Sequence, residues 1–205
     1  NLSLAFGQKV LFHEAKLSVS EGEKIGLIGL NGHGKSTLFK IITGEVVPDK
    51  TVPPFIFDTN NDKFSVITVP QELEIKKFTH LSVSDFYLTL YPDLLELNSE
   101  LKEIETRLAT DYQEADLDKQ QKIFEAIEQR KGWQIQQSYL SYLKTFDFPD
   151  LNKAVSSLSG GEQRKMALAM GLSATANLIL WDEPTNHLDT ESIEKFEEEL
   201  KKSQK

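Results

Sequence analysis

The 205-residue sequence contains no cysteine, which excludes disulfides and thiolate metal sites and fits a reducing cytoplasm. No stretch approaches the ~20 apolar residues that a bilayer crossing requires. The longest apolar runs, such as Leu178–Trp181, have the length of buried strands. The N-terminus lacks the pattern of a secretory signal, and because it starts at Asn1 rather than Met, the natural start is expected upstream. Internal repeats and low-complexity tracts are also missing. Positive charge is in deficit: 23 Lys and Arg stand against 32 Asp and Glu, a net charge of −9. That balance argues against broad electrostatic binding to nucleic acid or anionic lipid. What remains, 39% hydrophobic and 27% charged residues, describes a soluble globular chain with one sizeable core and room for a small insert.

Leu2, Leu4 and Phe6 alternate with Ser3 and Ala5, a period-two strand signal followed by a turn at Gly7-Gln8 and a second strand at Val10–Phe12. Leu17 and Val19 continue the strand pattern, and Lys24–Ile28 is nearly all apolar, which predicts a parallel strand covered on both faces. Lys35–Ile42 reads as a helix with Leu38, Ile41 and Ile42 on one face, closed by a left-handed Gly44. Val46–Asp62 reads as loop with short strands, and Val66–Val69 as a buried strand stopped by Pro70. From Ser82 to Phe148 the pattern is helical. Leu94, Leu97, Leu101, Ile104 and Leu108 form a heptad seam. After a polar break at Asp111–Asp118, Leu117, Phe124 and Ile127 mark a second helix expected to share that seam. The segment Asp93–Lys131 carries 11 acids and 6 bases. Trp133–Phe146 predicts a third helix, Leu178–Asp182 a strand and Glu191–Lys202 a charged final helix.

Three motifs carry chemistry. Gly29-Leu30-Asn31-Gly32-His33-Gly34-Lys35-Ser36 matches G-x-x-x-x-G-K-[ST] between an apolar run and a helix. Its glycines let backbone N–H groups wrap an anion, and the helix N-terminus adds partial positive charge. Lys35 supplies a full charge to the β- and γ-phosphates and Ser36 an oxygen for Mg²⁺. Leu178–Trp181 ends in Asp182-Glu183, which places two carboxylates at a strand's C-terminal edge. Asp182 can hold the metal there and Glu183 can polarise an attacking water; a solvated pair capping a strand is the plainer alternative. Leu158-Ser159-Gly160-Gly161-Glu162-Gln163 reads as a capping box opening a helix. The two glycines also expose backbone N–H groups at a positive helix end, a second anion site suited to nucleotide held by another copy. His187, in the polar turn Thr185–Asp189, reads as structural.

Together these residues resemble the ATP-binding cassette (ABC) superfamily over essentially the whole chain: Gly29–Thr37 is similar to its Walker A motif, Leu178–Asp182 to Walker B and Leu158–Gln163 to its signature. The resemblance implies that Asn31, Gly32, Gly34, Lys35, Ser36 and Thr37 bind ATP, and that Ser159, Gly160 and Gly161 close on the ATP of an opposing cassette. It implies that Gln71 is the glutamine that senses Mg²⁺ and the attacking water, that Phe6 stacks on adenine with Phe12 as a competitor, and that Asp189 contacts the opposing cassette. The run Asp182–Asp189 and the helical hairpin resemble the F subfamily, whose members carry two cassettes on one chain and mostly act on ribosomes.

The expected fold is α/β: a P-loop NTPase core over residues 1–75 and 155–205 with an N-terminal antiparallel β piece, and an inserted helical subdomain over 76–154 with a hairpin arm at about 93–131. The expected function is a cytoplasmic Mg-ATPase working at a head-to-tail dimer interface with a second cassette. It would act on ribosomes or nucleic-acid complexes; the alternative is the motor subunit of a membrane transporter. The resemblance places the family's switch histidine farther beyond Asp189 than this sequence extends, so weak turnover of this segment alone is expected. The acidic arm sits less comfortably with a ribosome than a basic one would, which keeps a coiled coil against a partner protein open as its role.

Overall fold

The computed structural model describes residues 2–6, 9–30, 32–51 and 64–203. Strand β1 (Leu2–Phe6) pairs antiparallel with β2 (Lys9–Ala15) on one side and the short β3 (Lys50–Thr51) on the other. Leu4 stands opposite Phe12, with irregular register on either side of Leu4. One face of this sheet packs on helix α1 (Lys35–Ile42), where Leu2, Leu4 and Ile41 are buried and Leu11, Phe12, Leu38 and Val46 close around them. The helix stops as expected: Gly44 takes φ 81° and donates its N–H to the Ile41 carbonyl. The turn expected at Gly7-Gln8, Asn31 and most of the Val46–Asp62 loop lie outside the described residues.

The expected strand at Lys24–Ile28 is not formed. Residues 16–30 carry no strand, and Leu17, Val19, Ile25, Leu27, Ile28 and Leu30 are exposed, Ile28 to 98%. An apolar run becomes a strand only when a neighbour accepts from its N–H groups and donates to its C=O groups. Among the described residues none pairs with this one; Lys24 Nζ reaches the Ser203 carbonyl instead, at 2.8 Å.

The larger body is built around two parallel strands, β4 (Val66–Val69) and β5 (Leu178–Trp181), in register from Val66 opposite Leu178 to Val69 opposite Trp181. Helices α2 (Pro92–Thr110), α3 (Glu114–Gln129), α4 (Gly132–Thr145), α5 (Gly160–Ser173) and α6 (Thr190–Lys202) complete it. Helix α5 is buried on nearly all sides from Met166 to Ser173, because α4, β4 and α6 surround it. Gly171 explains how close that packing is: a Cβ there would lie 2.3 Å from the Trp181 indole. The fully buried Tyr139 on α4 donates its hydroxyl hydrogen to the Val83 carbonyl at 2.8 Å, tying α4 to the 3₁₀ stretch Val83–Leu90.

Helices α2 and α3 form the hairpin. Leu94, Leu101 and Ile104 are buried along α2, with Leu97 and Leu108 beside them, as the heptad spacing predicts. The register of α3 differs from expectation. Ile123 and Ile127 fill the seam, whereas Leu117 and Phe124 are 39% and 40% exposed. The cause is that Leu117 and Phe124, seven residues apart, share a different side of the helix from the buried set Asp116, Ile123 and Ile127. Asp116 is buried at the seam's end because Arg107 grips both its oxygens at 3.3 Å, with Lys119 at 3.6 Å.

Candidate nucleotide site

The phosphate-loop segment turns on two left-handed glycines, Gly32 at φ 76° and Gly34 at φ 95°, backbone that L side chains rarely adopt. Gly34 is also the residue before α1, so the free N–H groups of that helix open directly from the loop. Lys35 Nζ donates to the carbonyls of Gly29 at 2.8 Å and Leu30 at 3.3 Å, holding the ammonium over its own loop. Ser36 is exposed and Thr37 half-buried behind it. A Cβ on Gly34 would lie 3.0 Å from the Phe12 ring, so Phe12 is an aromatic in direct contact with the loop. Phe6 ends β1, but its side chain lies outside the described residues.

The carboxylates stand at the other body. The Asp182 N–H still donates to the Val69 carbonyl at 3.1 Å, so the parallel pairing delivers Asp182 and Glu183 beside Pro70 and Gln71. The Glu183 carboxylate accepts from Gln71 Nε2 at 3.0 Å and from Asn186 Nδ2. Its backbone takes φ 48°, a sparsely populated conformation for a non-glycine residue that tends to mark functional positions. The Asp182 carboxylate and the Gln71 amide oxygen accept no hydrogen bond among the described residues, which leaves two oxygen donors at one sheet edge.

Arg164 joins these pieces, and the sequence reading did not single it out. From within α5 its buried guanidinium donates Nη1 to the Pro70 and Gln71 carbonyls at 3.2 and 2.9 Å. Its Nη2 donates to the Asp182 carbonyl at 3.1 Å and to the Glu183 carbonyl. Burial pulls the Arg164 pKa down, and the charges of Asp182 and Glu183 oppose that shift. Its sequence context gave no signal, because Glu162, Gln163 and Lys165 surround it in the polar first turns of α5 and only the packing distinguishes the buried Arg164 from the partly exposed Lys165.

The turn before α5 has the expected capping box. Glu162 N–H donates to Ser159 Oγ, while the Ser159 N–H donates to Glu162 Oε2 at 2.7 Å. Lys153 Nζ sits 2.7 Å from Glu162, and with the Ser159 donors it lowers the Glu162 pKa to about 2. Gly160 and Gly161 have open space where a Cβ would stand, so packing within this chain does not require glycine at either position. Asp189 N-caps α6, its Oδ1 accepting from the Ser192 N–H at 2.8 Å. His187 is exposed at φ 63°.

Gln71, Asp182 and Glu183 are therefore brought together and linked through Arg164 to the signature helix. Lys35, Ser36 and Thr37 share no hydrogen bond or ion pair with that cluster among the described residues. Ser159–Gly161 lie at the exposed start of α5.

A family model described as ABC transporter matches residues 12–186. The chain belongs to the ABC family of P-loop ATPases. Its relatives include F-type proteins. It is 30% identical over 196 residues to the energy-dependent translational throttle protein EttA of Mycobacterium tuberculosis, covering 96% of this chain and 34% of that one. It is 32% identical to the ATP-binding protein Uup of Escherichia coli over 97% of this chain and 30% of that one. For ABC transporter F family member 5 of Arabidopsis thaliana the identity is 29%, over 98% and 29%. The chain thus spans about a third of the length of these relatives. Among solved structures, the ATP-binding subunit of an ABC transporter superposes with TM-score 0.61 at 19% identity, over 99% of this chain and 72% of that one. A putative ABC transporter ATP-binding protein from Pyrococcus furiosus gives 0.60 at 21%, over 97% and 80%. These likenesses are to the fold. No helix of the described residues is long and apolar enough to cross a membrane.

Proposed function

We propose that this chain binds Mg-ATP on Gly32–Thr37, closes it against Ser159–Gly161 of an opposing cassette, and hydrolyses it in the service of translation on the ribosome. The observation that carries the reading is the Glu183 carboxylate, held by Gln71 and Asn186 at the end of β5. Water oxygen attacks the γ-phosphorus while its proton passes to a Glu183 oxygen; the bond to the β–γ bridging oxygen breaks and ADP leaves. Lys35 and the amides opening α1 neutralise charge on the phosphates. Ser36 Oγ, the Asp182 carboxylate and the Gln71 amide oxygen would be the hard-oxygen donors that suit Mg²⁺, and the last two accept no hydrogen bond among the described residues. When bound, the ion would offset charge on the β- and γ-oxygens. Phe6, or Phe12 where it lies on Gly34, is the aromatic for the adenine.

The opposing cassette is supported by Gly160 and Gly161, whose open Cβ positions leave backbone N–H groups approachable from outside. The translational role is supported by the similarity to a translational throttle protein. Glu183→Gln tests the chemistry: turnover should fall ~10²–10⁴-fold while ATP-dependent pairing of cassettes persists. Unchanged turnover overturns the assignment of the base. Co-sedimentation with ribosomes tests the role; recovery with membranes instead would favour a transporter subunit.

A further inference from the structure

The displaced register of α3 leaves an apolar face that the seam does not use. Phe124 is exposed, and its ring centre lies 6.1 Å from that of Trp133 at the start of α4. With Glu125, Glu128 and Gln129 the two rings line an open depression of about 500 Å³. Leu117 extends the same side two turns away. Both rim carboxylates are exposed, and each accepts one side-chain amide hydrogen: Glu125 from Gln121 at 3.0 Å and Glu128 from Gln134 at 3.1 Å. Among the described residues neither has a cationic partner, although Lys122, Arg130 and Lys131 are nearby in sequence.

Two aromatic rings beside carboxylates without a cationic partner suit one kind of group, a cation on an alkyl stem. The rings attract the cation through their quadrupoles and cover its methylenes, and the carboxylates take charge-assisted hydrogen bonds. A phosphate backbone would meet repulsion in the same place, and the whole segment Asp93–Lys131 is net acidic. We propose that the Phe124–Trp133 depression on the hairpin docks a Lys- or Arg-rich segment of a partner protein, with one cationic side chain laid over the two rings between Glu125 and Glu128.

The site is separate from the nucleotide machinery, so its failure and the failure of the ATPase reading are distinguishable. The test is calorimetric titration of the chain with an octa-arginine peptide, a single-stranded RNA octamer and buffer alone. Peptide binding is expected to weaken about tenfold in Phe124→Ala and again in Glu125→Gln/Glu128→Gln. It should be unchanged in Glu197→Gln/Glu198→Gln, which removes as much charge from exposed positions on α6. ATP turnover should be the same in all these variants, and helical circular dichroism confirms that Phe124→Ala folds. Equal affinity of every variant for the peptide overturns the proposal as diffuse charge attraction. Binding of the RNA at this face, or concentration-dependent self-association abolished by Phe124→Ala, assigns the depression to another occupant and overturns it as well.

Discussion

The two bodies that carry the candidate site are held in different ways. Gln71, Asp182 and Glu183 stand on a cluster of buried side chains running from Ile75 to Phe196, whereas the phosphate loop adjoins a cluster built on Leu2, Leu4 and Ile41. On the first side packing fixes the carboxylates. On the second, local backbone geometry at Gly32 and Gly34 does most of the shaping. Damage to the first should therefore spread through the molecule, and damage to the second should stay near the loop.

The largest effect is expected from Phe146→Ala. Phe146 has no exposed surface, and its truncation should cost about 3–5 kcal/mol in urea denaturation. Leu4→Ala in the smaller cluster should cost about 2 kcal/mol, the low end for buried leucine. Equal costs, with one shared transition, would show that the two clusters unfold as one unit. Next comes Arg164→Met, which removes the guanidinium donors from the carbonyls of Pro70, Gln71, Asp182 and Glu183, the last keeping only the Asn186 N–H. A loss of about 2–3 kcal/mol is expected, with faster amide exchange around Gln71 and Glu183 and none of that change in residues 35–42. Exchange that rises equally in α1 would break the comparison.

Ser159→Ala removes an N-cap oxygen and should cost about 1 kcal/mol by the same denaturation. The smallest effect is in pH. Because Glu162 is lowered from an ordinary 4.5 to about 2, its caps and its pair with Lys153 stabilise the fold fully above pH 4.5. That contribution should fade as pH drops from 4.5 towards 2. Lys153→Met should flatten the acid limb of the stability profile; an unchanged limb would mean the pair does not contribute.

Much of this was legible from residue patterns. Local rules govern the phosphate loop, the Ser159–Glu162 box and the heptad on α2, since each depends on neighbours within about seven residues. The failures depended on distant partners. Lys24–Ile28 has strand composition, yet a strand is defined by the chain beside it. On α3, two apolar stripes competed for one seam, and only the packing against Leu101 and Ile104 selected Ile123 and Ile127. Arg164 does not stand out among its polar neighbours, because its acceptors come from loops far away in the chain.

The contact between Gly171 and Trp181 has a mechanical consequence. With the helix backbone resting on the indole and Arg164 bolting the first turns to both strand ends, α5 has no slack against the sheet. A push at Gly160, one helical turn from Arg164, would be handed by the guanidinium straight to the Glu183 carbonyl.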